Sequence, residues 1–304
     1  MLARFEEALR SSREDQASEE MKAIDKLLKG LIDYAGLYPP ASCNMRAAVC
    51  NYLSYGASRH AAALGRFIVN VERLSELREV AGDSFCDMKL SVIASPDSDW
   101  DSLKALCDDG TPIDMIEIKT HLPSEIERIA KLIPLGVITC FEVPVHPVAE
   151  DALAAISILG ARVKLRMGGI VANAFPSVGD TCKMLNTLAH RGLALKATAG
   201  LHYPVRSNRP LTYEMGSPVV KMHGFLNLIC AAALLHFGGE DDQAQFMLDE
   251  ENVAAWQMNY DSIGWRSHSW TADQLSLVRK RLFISFGSCS FDEPIHELEA
   301  LGWL

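Results

Sequence analysis

The spacing of apolar residues changes near residue 65. Before it, apolar positions recur at helical intervals, as in "SEEMKAIDKLLKGLIDYAGL", which runs into Gly36 and the Pro39-Pro40 pair. A second helical stretch, rich in alanine and other small residues, extends from about 44 to 63. From Arg66 onward, short apolar runs of strand length alternate with amphipathic segments. The runs are "RFIVN" (66–70), "MKLSVIAS" (88–95), "IDMIEIKT" (113–120), "GVITCFEVPV" (136–145), "ARVKLRM" (161–167), "LALKATA" (193–199), "VAAWQMN" (253–259) and "LFISFG" (282–287). Segments between them, such as "PSEIERIAKLI" and "PSVGDTCKMLNTLAHRG", open on Pro or Ser, and several close on Gly, as capped helices do. Eight strand–helix alternations predict a (β/α)8, TIM-like barrel over 66–304, preceded by a helical N-terminal extension over 1–65. Of the eight, "VAAWQMN" has the least strand character.

Side chains alternate along a strand, so residues two apart share a face. Glu117 and Lys119 oppose Ile116 and Ile118; Lys164 and Arg166 oppose Val163 and Leu165; Lys196 and Thr198 oppose Leu195 and Ala197; Glu142 opposes Phe141 and Val143. The outward face of a barrel strand packs on the helix ring and must be apolar. The charged sets are therefore expected inside, near the C-terminal ends where barrel active sites lie. Ser91 and Ser285 join them. Four cations (Lys119, Lys164, Arg166, Lys196) against two carboxylates (Glu117, Glu142) suggest that an anion is missing, a carboxylate or phosphate of a small metabolite. A self-satisfied ion-pair core is the competing reading, and it gains little stability over a core of Val, Ile and Leu.

Lys196 carries the sharpest question. Desolvation and cationic neighbours disfavour its charged form, with Lys164 as the neighbour that lowers its pKa. A neutral amine suits attack on a carbonyl to form a Schiff base, or general-base work. The alternative, that Lys196 binds substrate as a cation, stays open.

Composition narrows the class. The 304 residues are 49% hydrophobic and 22% charged, the balance of a soluble globular protein. A net charge of −10 argues against nucleic acid and anionic membranes as partners. The eight scattered cysteines, without a Cys-x-x-Cys, read as reduced thiols of a cytoplasmic protein. Neither a signal peptide nor a membrane span is apparent.

Several residues outside the strands are candidates to complete a site. After Lys196, "AGLHYPVRSNRP" offers His202 for proton transfer and Arg206 to clamp an anion. Gly168, Gly169 and Gly200 permit close backbone approach. "MHGFLN" sets His223 and Asn227 four apart on one helical face. "FGSCSFDEP" supplies Ser288 and Cys289 after the last strand, where barrel enzymes often hold phosphate. Asp292 and Glu293 cut against phosphate there, and no histidine is placed by sequence to activate Cys289.

The segments "IDYAGLYPPAS", "KLRMGG", "KATAGLHYPVR", "MHGFLN" and "FGSCSFDEP" together resemble a bacterial protein family without an assigned activity, over nearly the whole chain. More distantly, "KATAG" is similar to the K-T-S-T-G signature of deoxyribose-phosphate aldolase. That likeness implies Lys196 as the Schiff-base lysine. The pattern departs from that family in placing its second lysine, Lys164, earlier in the chain.

The expectation is an enzyme acting on a small anionic carbonyl compound by lyase or aldolase-type chemistry, without a cofactor. Lys196 would be the amine, tuned by Lys164. Glu142, Glu117 and His202 would move protons, and Lys119, Arg166, Arg206, Thr198, His223, Asn227, Ser288 and Cys289 would bind substrate. The alternatives are a metal-assisted hydrolase or isomerase using Glu142, His146 and His202, and a metabolite-binding barrel without turnover. A homo-oligomer is compatible with either.

Overall fold

A computed structural model describes residues 22–304. Eight parallel strands close into a barrel: β1 (Ile32–Tyr34), β2 (Leu64–Asn70), β3 (Leu90–Ala94), β4 (Ile113–Ile118), β5 (Ile138–Val143), β6 (Arg162–Arg166), β7 (Leu195–Thr198) and β13 (Phe283–Ser288). Around the barrel the order is β1-β13-β7-β6-β5-β4-β3-β2. The protein is a TIM-like (β/α)8 barrel, as the alternation of patterns predicts.

The strand assignment is corrected in two places. The barrel's first strand is Ile32–Tyr34, inside the stretch expected to be a helical extension. Helix α1 (Ala23–Leu28) stops after one and a half turns, and Gly30, at φ +58°, turns the chain into β1. In β1 the alternation settles the role: Tyr34 packs against Tyr52, Tyr55 and Phe67, while Asp33 turns inward. The barrel thus begins near residue 32 rather than 66; the part of the expected extension over 1–21 lies outside the described residues. The second correction concerns "VAAWQMN". Trp256–Met258 is β10, the edge of an antiparallel sheet with β11 (Ser262–Trp265) and β12 (His268–Thr271), and takes no part in the barrel. This sheet, the hairpin β8 (Ser207–Pro210) and β9 (Val219–Met222), and three helices all lie in the long connection from β7 to β13.

Helices cover the outside. Those between barrel strands are α2 (Met45–Gly56), α3 (Leu74–Ala81), α4 (Trp100–Asp108), α5 (Pro123–Ala130), α6 (Glu150–Ile158) and α7 (Val178–Arg191). Next come α8 (Phe225–His236), α9 (Asp241–Asp249) and α10 (Ala272–Arg281), and α11 (Asp292–Ala300) ends the chain. Their ends follow local chemistry. Ser177 accepts from the Asp180 N–H at the start of α7, and Gly192 closes that helix in the left-handed conformation. Thr271 and Gln274 form a capping box on α10. Helix α8, expected to be a core helix, is buried from Phe225 through Leu235. No helix among the described residues is long and apolar enough to cross a membrane, and all eight cysteines are free.

Candidate functional site

The inward residues of β1, β3–β7 and β13 build one continuous polar network. At its lower end Asp33 accepts from the backbone N–H of Arg66 at 2.7 Å and from Ser285 Oγ at 2.7 Å. Lys196 Nζ stands 2.6 Å from both Asp33 Oδ2 and Glu117 Oε1, and 3.7 Å from Met115 Sδ. Its three ammonium hydrogens are thus all engaged, and the side chain is 0% exposed. Glu117 also accepts from Ser91 and reaches Lys164 Nζ at 2.8 Å. Lys164 continues to Glu142 at 2.9 Å, and Glu142 to Arg166 Nε at 3.2 Å. Negative and positive groups alternate along the whole path: Asp33, Lys196, Glu117, Lys164, Glu142, Arg166.

Strand register explains the juxtaposition. Glu142, Lys164 and Lys196 are successive partners across β5, β6 and β7, so each finds the next one strand over at the same height. The expected excess of cations is largely removed: Asp33 supplies a third interior carboxylate, and Lys119, just beyond β4, is exposed at the rim.

The anticipated lowering of the Lys196 pKa is reversed. Burial disfavours its ammonium, but Asp33 and Glu117 outweigh burial and raise the pKa above the usual lysine value. Lys164 is raised in the same way, burial being outweighed by Glu117 and Glu142. Conversely, Glu117 and Glu142 are held below the usual carboxylate range, the nearby cations overcoming burial. Lys164 does not depress Lys196 because Glu117 stands between them.

Above the network is a cavity of about 520 Å³ at the C-terminal end of the barrel. Glu117, Lys119, Glu142, Lys164, Arg166, Thr198, His202 and Cys289 all line it, with Gly169, Gly200 and residues of the β8–β9 hairpin. Lys196 does not reach it and lies beneath Glu117. Arg166 is half exposed, and no hydrogen bond or ion pair engages Lys119 among the described residues, so the rim carries cations turned toward the cavity.

Four expected substrate-binding residues are placed elsewhere. Arg206 turns to Asp249 at 3.1 Å and to His223 at 3.2 Å. His223, its pKa pushed down to about 4 chiefly by burial, also meets the Pro176 carbonyl at 2.9 Å. Asn227 accepts from the Arg206 N–H and donates to the Met247 and Glu250 carbonyls, stitching the long connection together. Ser288, at an outward position of β13, accepts from the Ser290 N–H. Arg206, His223 and Asn227 are taken up in holding the chain after β7 together, whereas Ser288 is turned away by its outward position in β13.

Glu142, His146 and His202 do not form a metal-ligating set. His146 pairs on the surface with Asp180 at 3.1 Å, and His202 turns Nδ1 to Glu293. Among the described residues no cluster of three His, Cys, Asp or Glu side chains is arranged for a metal.

Asp33, Glu293, Tyr38 and Tyr213 had no predicted role in the site. A single acid inside the apolar "LIDYAG" was the available signal for Asp33. Glu293, which the sequence marked only as an acid that cuts against phosphate, sits in the first turn of α11 and ties its carboxylate to His202.

No family model matches the chain, and no curated protein does. Among solved structures, FabK from Thermotoga maritima is similar at 16% identity, over 60% of this chain and 55% of that one, with a TM-score of 0.37. A point mutant of the same protein gives 16% identity, 60% and 58% coverage and a TM-score of 0.36. The likeness therefore spans little more than half of the FabK chains and is too slight to bear on chemistry.

Proposed function

We propose that this barrel is an enzyme acting on a small anionic carbonyl compound by aldolase-type chemistry, with Lys164 as the reacting amine. The observation that carries this reading is that, among the described residues, Lys164 is the lysine that both lines the cavity and contacts two carboxylates, Nζ lying 2.8 Å from Glu117 and 2.9 Å from Glu142. Lys196 becomes a positioning residue: it fixes Glu117, which fixes Lys164.

The Lys164 ammonium gives up a proton to solvent as pH rises, against the hold of Glu117 and Glu142, and the freed amine adds to the substrate carbonyl. Protonation of the carbinolamine oxygen lets water leave and forms an iminium. Glu117, fixed from below by Lys196 and Ser91, balances its positive charge. Glu142 then takes the proton of the hydroxyl on the next carbon but one. That carbon leaves as a carbonyl compound, the electron pair of the broken carbon–carbon bond moves to the iminium, and reprotonation and hydrolysis of the resulting enamine free Lys164. Lys119 and the free edge of the Arg166 guanidinium hold the anionic end of the substrate at the rim.

The test is borohydride reduction in the presence of a panel of aldehydes and keto acids, followed by peptide mass mapping. A reduced adduct on Lys164, lost in Lys164→Ala, is the expected result. Because the carboxylates raise the Lys164 pKa, trapping should accelerate as pH rises from 7 toward 10. An adduct on Lys196, or none with the whole panel, overturns the reading.

A further inference from the structure

The lysine network leaves one side of the cavity unused. There Cys289, at the end of β13, places Sγ 3.8 Å from His202 Nε2. On its other side His202 Nδ1 is hydrogen-bonded to Glu293, in the first turn of α11. The Tyr213 hydroxyl, from the turn of the β8–β9 hairpin, stands 3.6 Å from the same sulfur. All four residues line the cavity, yet three separate parts of the chain supply them.

We infer that Cys289 is a second, covalent centre of this cavity: a thiol nucleophile activated by His202 and oriented through Glu293, which accepts the acyl group of a small activated ester or thioester. The inference goes beyond the lysine reading and does not depend on it.

Nucleophile, base and orienting carboxylate stand in the sequence of contacts that acyl transfer requires. Glu293 fixes the ring so that Nε2 is the nitrogen presented to sulfur. The pKa of His202 is pushed up to about 9, since hydrogen bonds with Cys289 and Glu293 outweigh burial, which works against protonation. His202 is therefore held as the imidazolium, the form in which the ring already carries the proton given up by the thiol. The thiolate attacks the acyl carbon, and the tetrahedral adduct collapses by expelling the alcohol or thiol, which leaves with the proton from His202. Water then attacks the acyl-Cys289 thioester; His202 takes a proton from that water and returns it to sulfur as the carboxylic acid departs. The sum is hydrolysis of one ester or thioester, with no oxidant or reductant.

Exposed Cys50 and Cys86 provide an internal reference that needs no variant. The folded chain is treated with 4-nitrophenyl acetate, nitrophenolate release is followed, and acetylated peptides are mapped under mildly acidic conditions. We expect a stoichiometric burst and a hydroxylamine-sensitive acetyl group on Cys289, formed about 100-fold faster than on Cys50 or Cys86. Cys289→Ser should abolish the burst, and His202→Gln should slow it by about 100-fold. Acetylation of Cys289 no faster than of the two exposed thiols overturns the inference, whatever the variants do. So does an undiminished burst in a His202→Gln protein whose thermal unfolding is unchanged. Borohydride trapping reads Lys164 separately, so failure of one centre is not failure of the other.

Discussion

At the scale of single residues, Lys196 shows how a buried charge is accommodated. It was visible in the sequence as a lysine in an apolar strand, but its chemical state was not, because the two carboxylates that hold it protonated come from β1 and β4. Removing one member of such a network leaves its partner buried without compensation, which costs about 3–5 kcal/mol. Lys196→Met and Asp33→Asn should each destabilise the protein by about that much in urea unfolding. The double variant should lose clearly less than the sum, since each substitution removes the charge that the other strands. Simple addition of the two losses would show that Asp33 and Lys196 do not act as a pair.

At the scale of elements, the loops after β6 and β7 depend on a close backbone approach. Gly168 and Gly200 meet beneath Phe175; a Cβ on Gly200 would lie 2.9 Å from Gly168 Cα and 2.8 Å from Phe175 Cε1. Gly200 also sits at φ +70°. The sequence suggested close backbone approach at these glycines, and here the approach is of one loop to the other, which sets how the walls of the cavity meet. Gly200→Ala should therefore cost about 1–3 kcal/mol, and more if Phe175 cannot move. By shifting the loop that carries His202 it should also slow acylation at Cys289. An unchanged urea midpoint would show that the contact is dispensable. The strand errors have a related cause. A three-residue strand such as β1 is too short to show alternation, and "VAAWQMN" could not reveal whether its partners were barrel strands or a local antiparallel sheet.

For the whole molecule, the titrating groups of the site predict how stability follows pH. Glu117, Glu142 and Glu293 have lowered pKa values, so their contributions are present above the ordinary carboxylate range and are lost as pH falls below it. His202 works in the opposite direction. With its pKa raised from 6.5 to about 9, its contribution is complete below about 6.5 and lost as pH rises toward 9. Urea midpoints should therefore fall on the acid side, and fall again between about 6.5 and 9. The second decline should be absent from His202→Gln. A decline of equal size in that variant would place its origin elsewhere. The formal net charge of the chain is −10, yet Lys119 and Arg166 put positive charge at the rim of the cavity.

Sequence alone determined the repeating strand–helix order and the inward set of Glu117, Glu142, Lys164 and Lys196. Both follow from periodicities that a few neighbouring residues reveal: two along a strand, 3.6 along a helix. Only the tertiary structure decided which of those charges line the cavity and which charges stand beside them. Lys196 meets Asp33 across 163 residues of chain, and Cys289 meets His202 across 87. Protonation depends on burial and on charges a few ångströms away in space. Those neighbours exist only once the barrel has closed.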